Sequence, residues 1–421
     1  MASDTDAAAI PPFLDLSLFD LPLFEARHLA LARHAADVAR RVIAPEALAA
    51  DDATRCEKAC VRALRACAAE GLLAHLVPAD WQDSEGETRP PDLRSVCAIR
   101  EALGAVSGAI DATFAVQGLG SLPIAFRGSA ELKARHLPSI VDGSAIAAFA
   151  LTEPNAGSDV RALTTTARRG GDRYVLDGEK VFISNGPIAT VFTVFAKVID
   201  AAAAASAVAD APIAAFVVDA ATPGLRIAER LELIAPHPIA RLAFDSCAIS
   251  ASQRLGGERD GLKIALMTLD FFRTSVGAAA CGMAARALAE AIAHTRRRSQ
   301  FGQPLFEFQA TQLAIGEMLA DLEAARLLVY RSAWRKDAGA ARVTREASAA
   351  KLFATEAAQR IIDRAVQLHG GIGVQRGVAV ERLYREIRAL RIYEGTSEIQ
   401  KLLLARQAAE IYGAPVADAA H

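Results

Sequence analysis

Glu394, in the stretch RIYEGTSEIQ at 391–400, is an acidic side chain set between a tyrosine and a glycine. Ser397 and Gln400 fit a capping box, S-x-x-Q, that starts a last helix. The apolar positions Ile399, Leu402, Leu403 and Ile411 of that helix are expected to face inward, with Gly413 and Pro415 ending it. Glu394 then lies ahead of the cap on a non-helical link. A carboxylate held there between Tyr393 and an apolar bundle is partly desolvated, and its pKa rises toward that of a useful general base. A solvated glutamate is the plainer alternative.

Three other segments carry chemistry-bearing residues. In AFALTEPNAGSDV, 148–160, Pro154-Asn155 and Gly157-Ser158 are turn chemistry, and Thr152 and Ser158 place hydroxyls beside exposed N–H groups. Such a loop can cradle an anion such as a phosphate, or be an ordinary interdomain turn. In HTRRRSQFGQPLFEFQ, 294–309, three arginines close a helix and complement its dipole. The sharper reading makes Arg298 a phosphate ligand through its guanidinium fork. QLHGGIGVQRG, 367–377, has Arg376 where a dinucleotide fingerprint needs its third glycine, and it follows a helix rather than a strand. The fingerprint therefore fails, leaving a helix C-cap or a close backbone approach. No HExxH, GxSxG or Walker A pattern occurs.

The elements that must hold these segments read in three blocks. Residues 1–22, including PPFLDLSLFD, form an N-terminal arm, expected to be extended. Residues 23–147 show helical periodicity, as in FEARHLALARHAADVARRVI. From 148 to 252 the chain turns to short β-branched and aromatic runs, among them RYVLDGEKVFISNG and TVFTVFAKVI. That texture predicts an antiparallel sheet or small barrel, with AAAAASAVADA (201–211) as a surface loop insertion. From 253 to 421 four long amphipathic helices with short connections predict a four-helix bundle, packed closely through small residues such as AAACGMAA. Helices, strands, then helices, with no βαβ alternation, make an α+β multidomain chain and exclude a doubly wound nucleotide fold.

Composition bounds the rest. A chain of 421 residues, 52% hydrophobic and 23% charged, is a globular protein of two or three domains. A formal net charge of −2 offers no basic field for nucleic acid. MASDTDAAAI has neither a charged n-region nor an apolar h-region, so no secretory signal is expected, and no apolar run suggests a membrane span. Cys56, Cys60 and Cys67 fall at helical spacing without CxxC, so buried small residues on one helix face are expected rather than a metal site. With Cys97, Cys247 and Cys281 scattered, the chain reads as reduced and cytoplasmic.

The order and separation of LTEPNAGSD, VFISNG, RRSQFGQPLFEFQ, QLHGGIG and IYEGTSEIQ resemble the acyl-CoA dehydrogenase family over roughly residues 25 to 413. The resemblance implies an FAD enzyme that forms a homotetramer, a dimer of dimers, with FAD bound across a subunit contact. By position, Phe149, Leu151, Thr152 and Ser158 would line the flavin on one side, with Phe182 and Ser184 along the other. Arg298, Phe301, Gln309, Gln367 and Gly371 would serve the FAD of the neighbouring subunit, and Thr396 and Glu398 would close on the cofactor. Asp270 and Arg273 match positions that contact CoA, with Ser158, Tyr393, Gly395 and Arg406 as further substrate contacts. Glu394 matches the base that takes the α-proton of an acyl thioester. Some relatives carry the base just before the arginine of the earlier helix. Here that position is Phe272, which cannot accept a proton, so the two positions agree on Glu394. The family usually has Trp and Thr where this chain has Phe182 and Ser184. Asn155 stands where Gly is more usual, a change asparagine tolerates by visiting left-handed backbone. The implied product is a 2-enoyl-CoA, with electron-transferring flavoprotein as acceptor. An oxygen-using oxidase-like relative and a non-catalytic FAD-binding scaffold are the alternatives.

Overall fold

The computed structural model describes residues 13–77, 90–200 and 208–413. The first block is helical: α1 (Ala26–Val38), α2 (Ala44–Ala50), α3 (Cys56–Ala69), α4 (Leu93–Val106), α5 (Gly108–Arg127) and α6 (Ala130–Val141). Side-chain caps start three of them: Asp92 accepts from the Ser95 N–H, Ser107 from Ile110 and Ser129 from Leu132. Each satisfies a backbone donor that the first helical turn leaves free. Cys56, Cys60 and Cys67 are buried in α3 as its small core residues. Leu18 and Phe19, expected on an extended arm, instead sit in a short 3-10 turn, Ser17–Asp20, and are buried. Apolar burial wins there: Phe19 packs edge-on against Tyr330 with ring centres 5.6 Å apart.

Among the described residues the central sheet has eight strands, the last lying just past the expected block: β1 (Ala147–Ala150), β2 (Thr166–Gly170), β3 (Arg173–Ser184), β4 (Val191–Asp200), β5 (Ile213–Asp219), β6 (Leu225–Arg230), β7 (Ile239–Ser250) and β8 (Arg254–Leu255). Their order is β6-β7-β3-β2-β4-β5-β8, with β1 also on β4. This corrects the expected antiparallel sheet or barrel, because the sheet is open and mixed. β1 pairs in parallel with the first half of β4 and β2 with its second half. The LTEPNAGSDV segment is the excursion between them. It leaves the sheet edge after β1 and returns as β2, running in the same direction. Residues 201–207 of the alanine-rich insertion lie outside the described residues.

The last block contains α7 (Gly261–Arg297), a hairpin of β9 (Ser299–Gln300) and β10 (Gln303–Pro304), α8 (Gln309–Asp337), α9 (Thr344–His369), α10 (Ala379–Leu390) and α11 (Ser397–Tyr412). Its described residues form five α-helices where four were expected. The addition, α10, is short, and buries Val380, Leu383, Ile387 and Leu390 at helical spacing. The small residues of α7 close it on α4 of the first block rather than only within the bundle. A Cβ added at Gly282 would lie 1.9 Å from the Glu101 carbonyl oxygen, and one at Gly104 2.6 Å from that of Ala279.

Two expectations for α11 fail. Thr396, not Ser397, is the cap, its hydroxyl accepting from the Ile399 N–H at 3.3 Å. Leu402 and Ile411 are exposed, and the buried residues of the helix are Ser397 and Gln400. The first turn of α11 spends its polar groups on the link before it, so its apolar stripe is left outward. Pro415 lies outside the described residues. The expectation of no long apolar run also needs correction. By length and composition α5 and α7 could cross a membrane, yet 89% and 78% of their apolar windows are buried inside the protein. Core helices pass the same test.

Candidate active site

The link between α10 and α11 sets Glu394 in left-handed backbone, φ 52°, followed by Gly395 at φ 93°. Among the described residues only five non-glycines have positive φ, and three of them, Phe182, Phe301 and Glu394, are sequence-predicted site residues. Such backbone persists where surrounding contacts impose it, commonly at functional sites. The contacts here are specific. Lys351 Nζ of α9 donates to the Gly395 carbonyl at 2.7 Å, and Gln400 Nε2 to the same oxygen at 2.9 Å. Glu356 of α9 accepts from Arg391 Nε at 2.9 Å and from Ser397 Oγ at 2.6 Å, pinning both ends of the link.

The Glu394 Oε2 atom is shielded and accepts no hydrogen bond from any described residue. Burial raises the pKa of this carboxyl; Arg100, Lys351 and Arg273 oppose that rise, Asp111 adds to it, and the net shift is upward. The neighbouring Tyr393 hydroxyl is also raised, by burial first. Arg100 and Asp111 form a bidentate pair, 2.8 and 3.0 Å, on apolar helices α4 and α5, both essentially inaccessible. Sequence reasoning missed Arg100, Asp111 and Lys351. Their signal was a charge interrupting an otherwise apolar helical run, as in VCAIREALGAV and GAIDATFAV.

Arg273 is buried on α7 and pairs with the half-exposed Asp270 one turn before it. Its Nε finds no acceptor among the described residues. Phe272 is fully buried and its ring end occupies the space over Gly118 of α5, where an added Cβ would come within 2.4 Å. An aromatic ring therefore fills this position, and it has no group that accepts a proton. Arg406 is exposed on α11 and joins none of these groups by hydrogen bond or ion pair.

The excursion after β1 is tied to β3. Lys180 Nζ reaches the Leu151 carbonyl at 3.0 Å and Glu153 at 2.8 Å, while the Val181 N–H donates to the Thr152 carbonyl at 2.9 Å. Leu151 is buried, Thr152 and Phe149 are half-buried, and Ser158 is exposed. Asn155 is not left-handed, so that expected tolerance is not used. Phe182, 59% exposed at φ 56°, and Ser184 close the end of β3. His237, in the PHPI turn, shares a 2.8 Å hydrogen bond with Ser184 Oγ, and burial pushes its imidazole down to about 4. It is neutral at physiological pH.

Arg298, Phe301, Gln309, Gln367 and Gly371 form a second, exposed group at the far end of α7 and α9. His294 of α7 stacks on His369 of α9 with ring centres 4.4 Å apart, which brings the two segments together. Gly370 caps α9 at φ 63°. No hydrogen bond or ion pair among the described residues joins this group to Thr152, Ser158 or Phe182.

The residues present fit a flavin dinucleotide. The first group offers an exposed aromatic face at Phe182, hydroxyls at Thr152, Ser158 and Ser184, and open backbone at Gly157, where an added Cβ would meet nothing within 4 Å. The second offers a guanidinium, two amides, the open Gly371 backbone and a phenyl ring 93% exposed at Phe301. An aromatic ring system and a diphosphate need these partners.

Models of the acyl-CoA dehydrogenase N-terminal, middle and C-terminal domains match residues 25–144, 148–247 and 259–409. Over 391 residues the chain is 36% identical to a probable acyl-CoA dehydrogenase of Mycobacterium leprae, covering 92% of this chain and 97% of that one. It is similar in structure to butyryl-CoA dehydrogenase of Megasphaera elsdenii, with TM-score 0.81, 30% identity, and 91% and 98% of the two chains covered. An FAD complex of PigA is similar at TM-score 0.81 and 28% identity, over 92% and 98% of the chains.

Proposed function

The chain belongs to the acyl-CoA dehydrogenase family, and we propose that it oxidises an acyl-CoA to its 2-enoyl-CoA with Glu394 as the base. The observation that carries this reading is the shielded, donor-free Glu394 Oε2 in a strained link. A carboxylate without donors keeps its basicity, and burial raises its proton affinity toward the working pH. It accepts the α-proton of the thioester. FAD, when bound, would supply the two-electron oxidation as acceptor for the β-hydrogen and its electron pair, so that with the α-proton on Glu394 a Cα–Cβ double bond would replace two C–H bonds.

The remaining residues bind and orient. Arg273, with its free Nε, and Asp270 meet the CoA moiety; Ser158, Tyr393, Gly395 and Arg406 are further substrate contacts. Phe149, Leu151, Thr152, Ser158, Phe182 and Ser184 hold the flavin of their own subunit, with Thr396 and Glu398 at its edge. Arg298, Phe301, Gln309, Gln367 and Gly371 reach the FAD of a neighbouring copy in a dimer of dimers. Their exposure on one chain supports that reading. Electron-transferring flavoprotein is the proposed acceptor.

The test is anaerobic mixing of the flavoprotein with straight, branched and cyclic acyl-CoAs. At least one must bleach the flavin and yield the 2-enoyl thioester; a flavin that stays oxidised with all of them sinks the reading. Rapid peroxide formation on admitting air would replace the proposed acceptor with oxygen.

A further inference from the structure

Three cations act electrostatically on the Glu394 carboxyl, each from a different helix: Arg100 of α4, Arg273 of α7 and Lys351 of α9. Two are committed to acids. Arg100 grips Asp111, and Arg273 pairs with Asp270. Lys351 differs. It is completely buried, forms no ion pair with any described residue, and gives its one hydrogen bond to the Gly395 carbonyl. A buried ammonium with no acid partner is costly, so something must compensate it. The other acids bearing on it are spent or distant: Glu356 serves Arg391 and Ser397, and Glu398 is exposed. Glu394 is the anion with the largest influence on it.

We propose that Lys351 is the positioning residue of the base, clamping its turn through the Gly395 carbonyl and supplying the one uncompensated positive charge that favours ionised Glu394. The proposal rests on Glu394 being the base. Burial pushes the Lys351 amine down to about 8 while Glu394 pulls it back up, so it is charged at neutral pH. Gln400 holds the same carbonyl without a charge, which separates clamping from electrostatics. Tyr393, Asp111, Arg100 and Arg273 also face the carboxyl and remain constant in that comparison.

The experiment measures the rate of anaerobic flavin reduction by saturating acyl-CoA against pH, with FAD content recorded for each variant. Lys351→Met removes charge and donor; it should slow reduction at neutral pH about tenfold or more and move the acid limb up by about one pH unit, a unit being a tenfold change in proton affinity. Lys351→Arg should return the limb to its original position. Gln400→Leu should slow reduction without moving the limb. An unmoved limb in Lys351→Met, or an equal displacement in Gln400→Leu, overturns the proposal. Should Lys351→Met fail to retain FAD, a displaced limb in Lys351→Arg overturns it. Glu394→Gln keeps the two ideas apart. Continued reduction in that variant sinks the base itself, whereas a dead Glu394→Gln beside an unmoved Lys351→Met limb sinks only the role of Lys351.

Discussion

Two shielded glutamates, Glu153 after β1 and Glu394 before α11, sit in loops with opposite electrostatics. Glu153 Oε1 accepts from Lys180 at 2.8 Å and the Thr165 N–H at 3.0 Å; Oε2 accepts from the Thr164 N–H at 2.6 Å and its hydroxyl at 2.8 Å. Burial works against its charge, but the Lys180 ammonium and these donors hold its carboxyl down to about 2. Glu394 has an oxygen with no donor, and its carboxyl is raised. Burial pushes both in the same direction. What separates the depressed carboxyl from the raised one is the number of donors spent on it.

The largest expected effect breaks the comparison at the proposed base. Glu394→Gln should retain FAD yet lose flavin reduction by roughly 10²–10⁴-fold, the span of general-base catalysis. Glu153→Gln should leave reduction per bound flavin within a few-fold. Its effect falls on stability instead: Lys180 is left buried without its partner, at a cost of about 3–5 kcal/mol read from the denaturant midpoint.

Acid sharpens the contrast further. The folded pKa of Glu153 is depressed, so its contribution is present above the ordinary glutamate value and is lost as pH falls toward about 2. Glu394 is raised, so its penalty on the fold is absent below the ordinary glutamate value and grows as pH climbs from there to the raised one. Thermal melts should therefore show apo Glu394→Gln above the parent protein at neutral pH, with the gap closing below the ordinary glutamate value. A gap that widens in acid would contradict the assignment. The smallest effect belongs to Phe182→Trp. Stopped-flow traces should show reduction by substrate within about twofold, because a larger ring at an exposed position disturbs little packing. Reoxidation by electron-transferring flavoprotein should change more than reduction does.

Much of this protein was readable before folding. The helical, β and helical blocks follow from periodicities of 3.6 and 2, which are local properties of the chain. Five spaced motifs sufficed for the family, and Phe272 against Glu394 is what proposes the base. Those signals depend only on residue type and separation. Capping of α11 was misread because Thr396 and Ser397 can both cap, and only the demand of Glu356 for the Ser397 hydroxyl decides between them. The parallel pairing of β1 and β2 on β4 was equally invisible, since strand direction is set by partners distant in sequence. So were the charges that act on Glu394. Arg100, Asp111, Arg273 and Lys351 come from α4, α5, α7 and α9, and no spacing along the chain relates them. The identity of the carboxylate is written in the sequence, while its proton affinity is a property of four helices that meet only in the folded state.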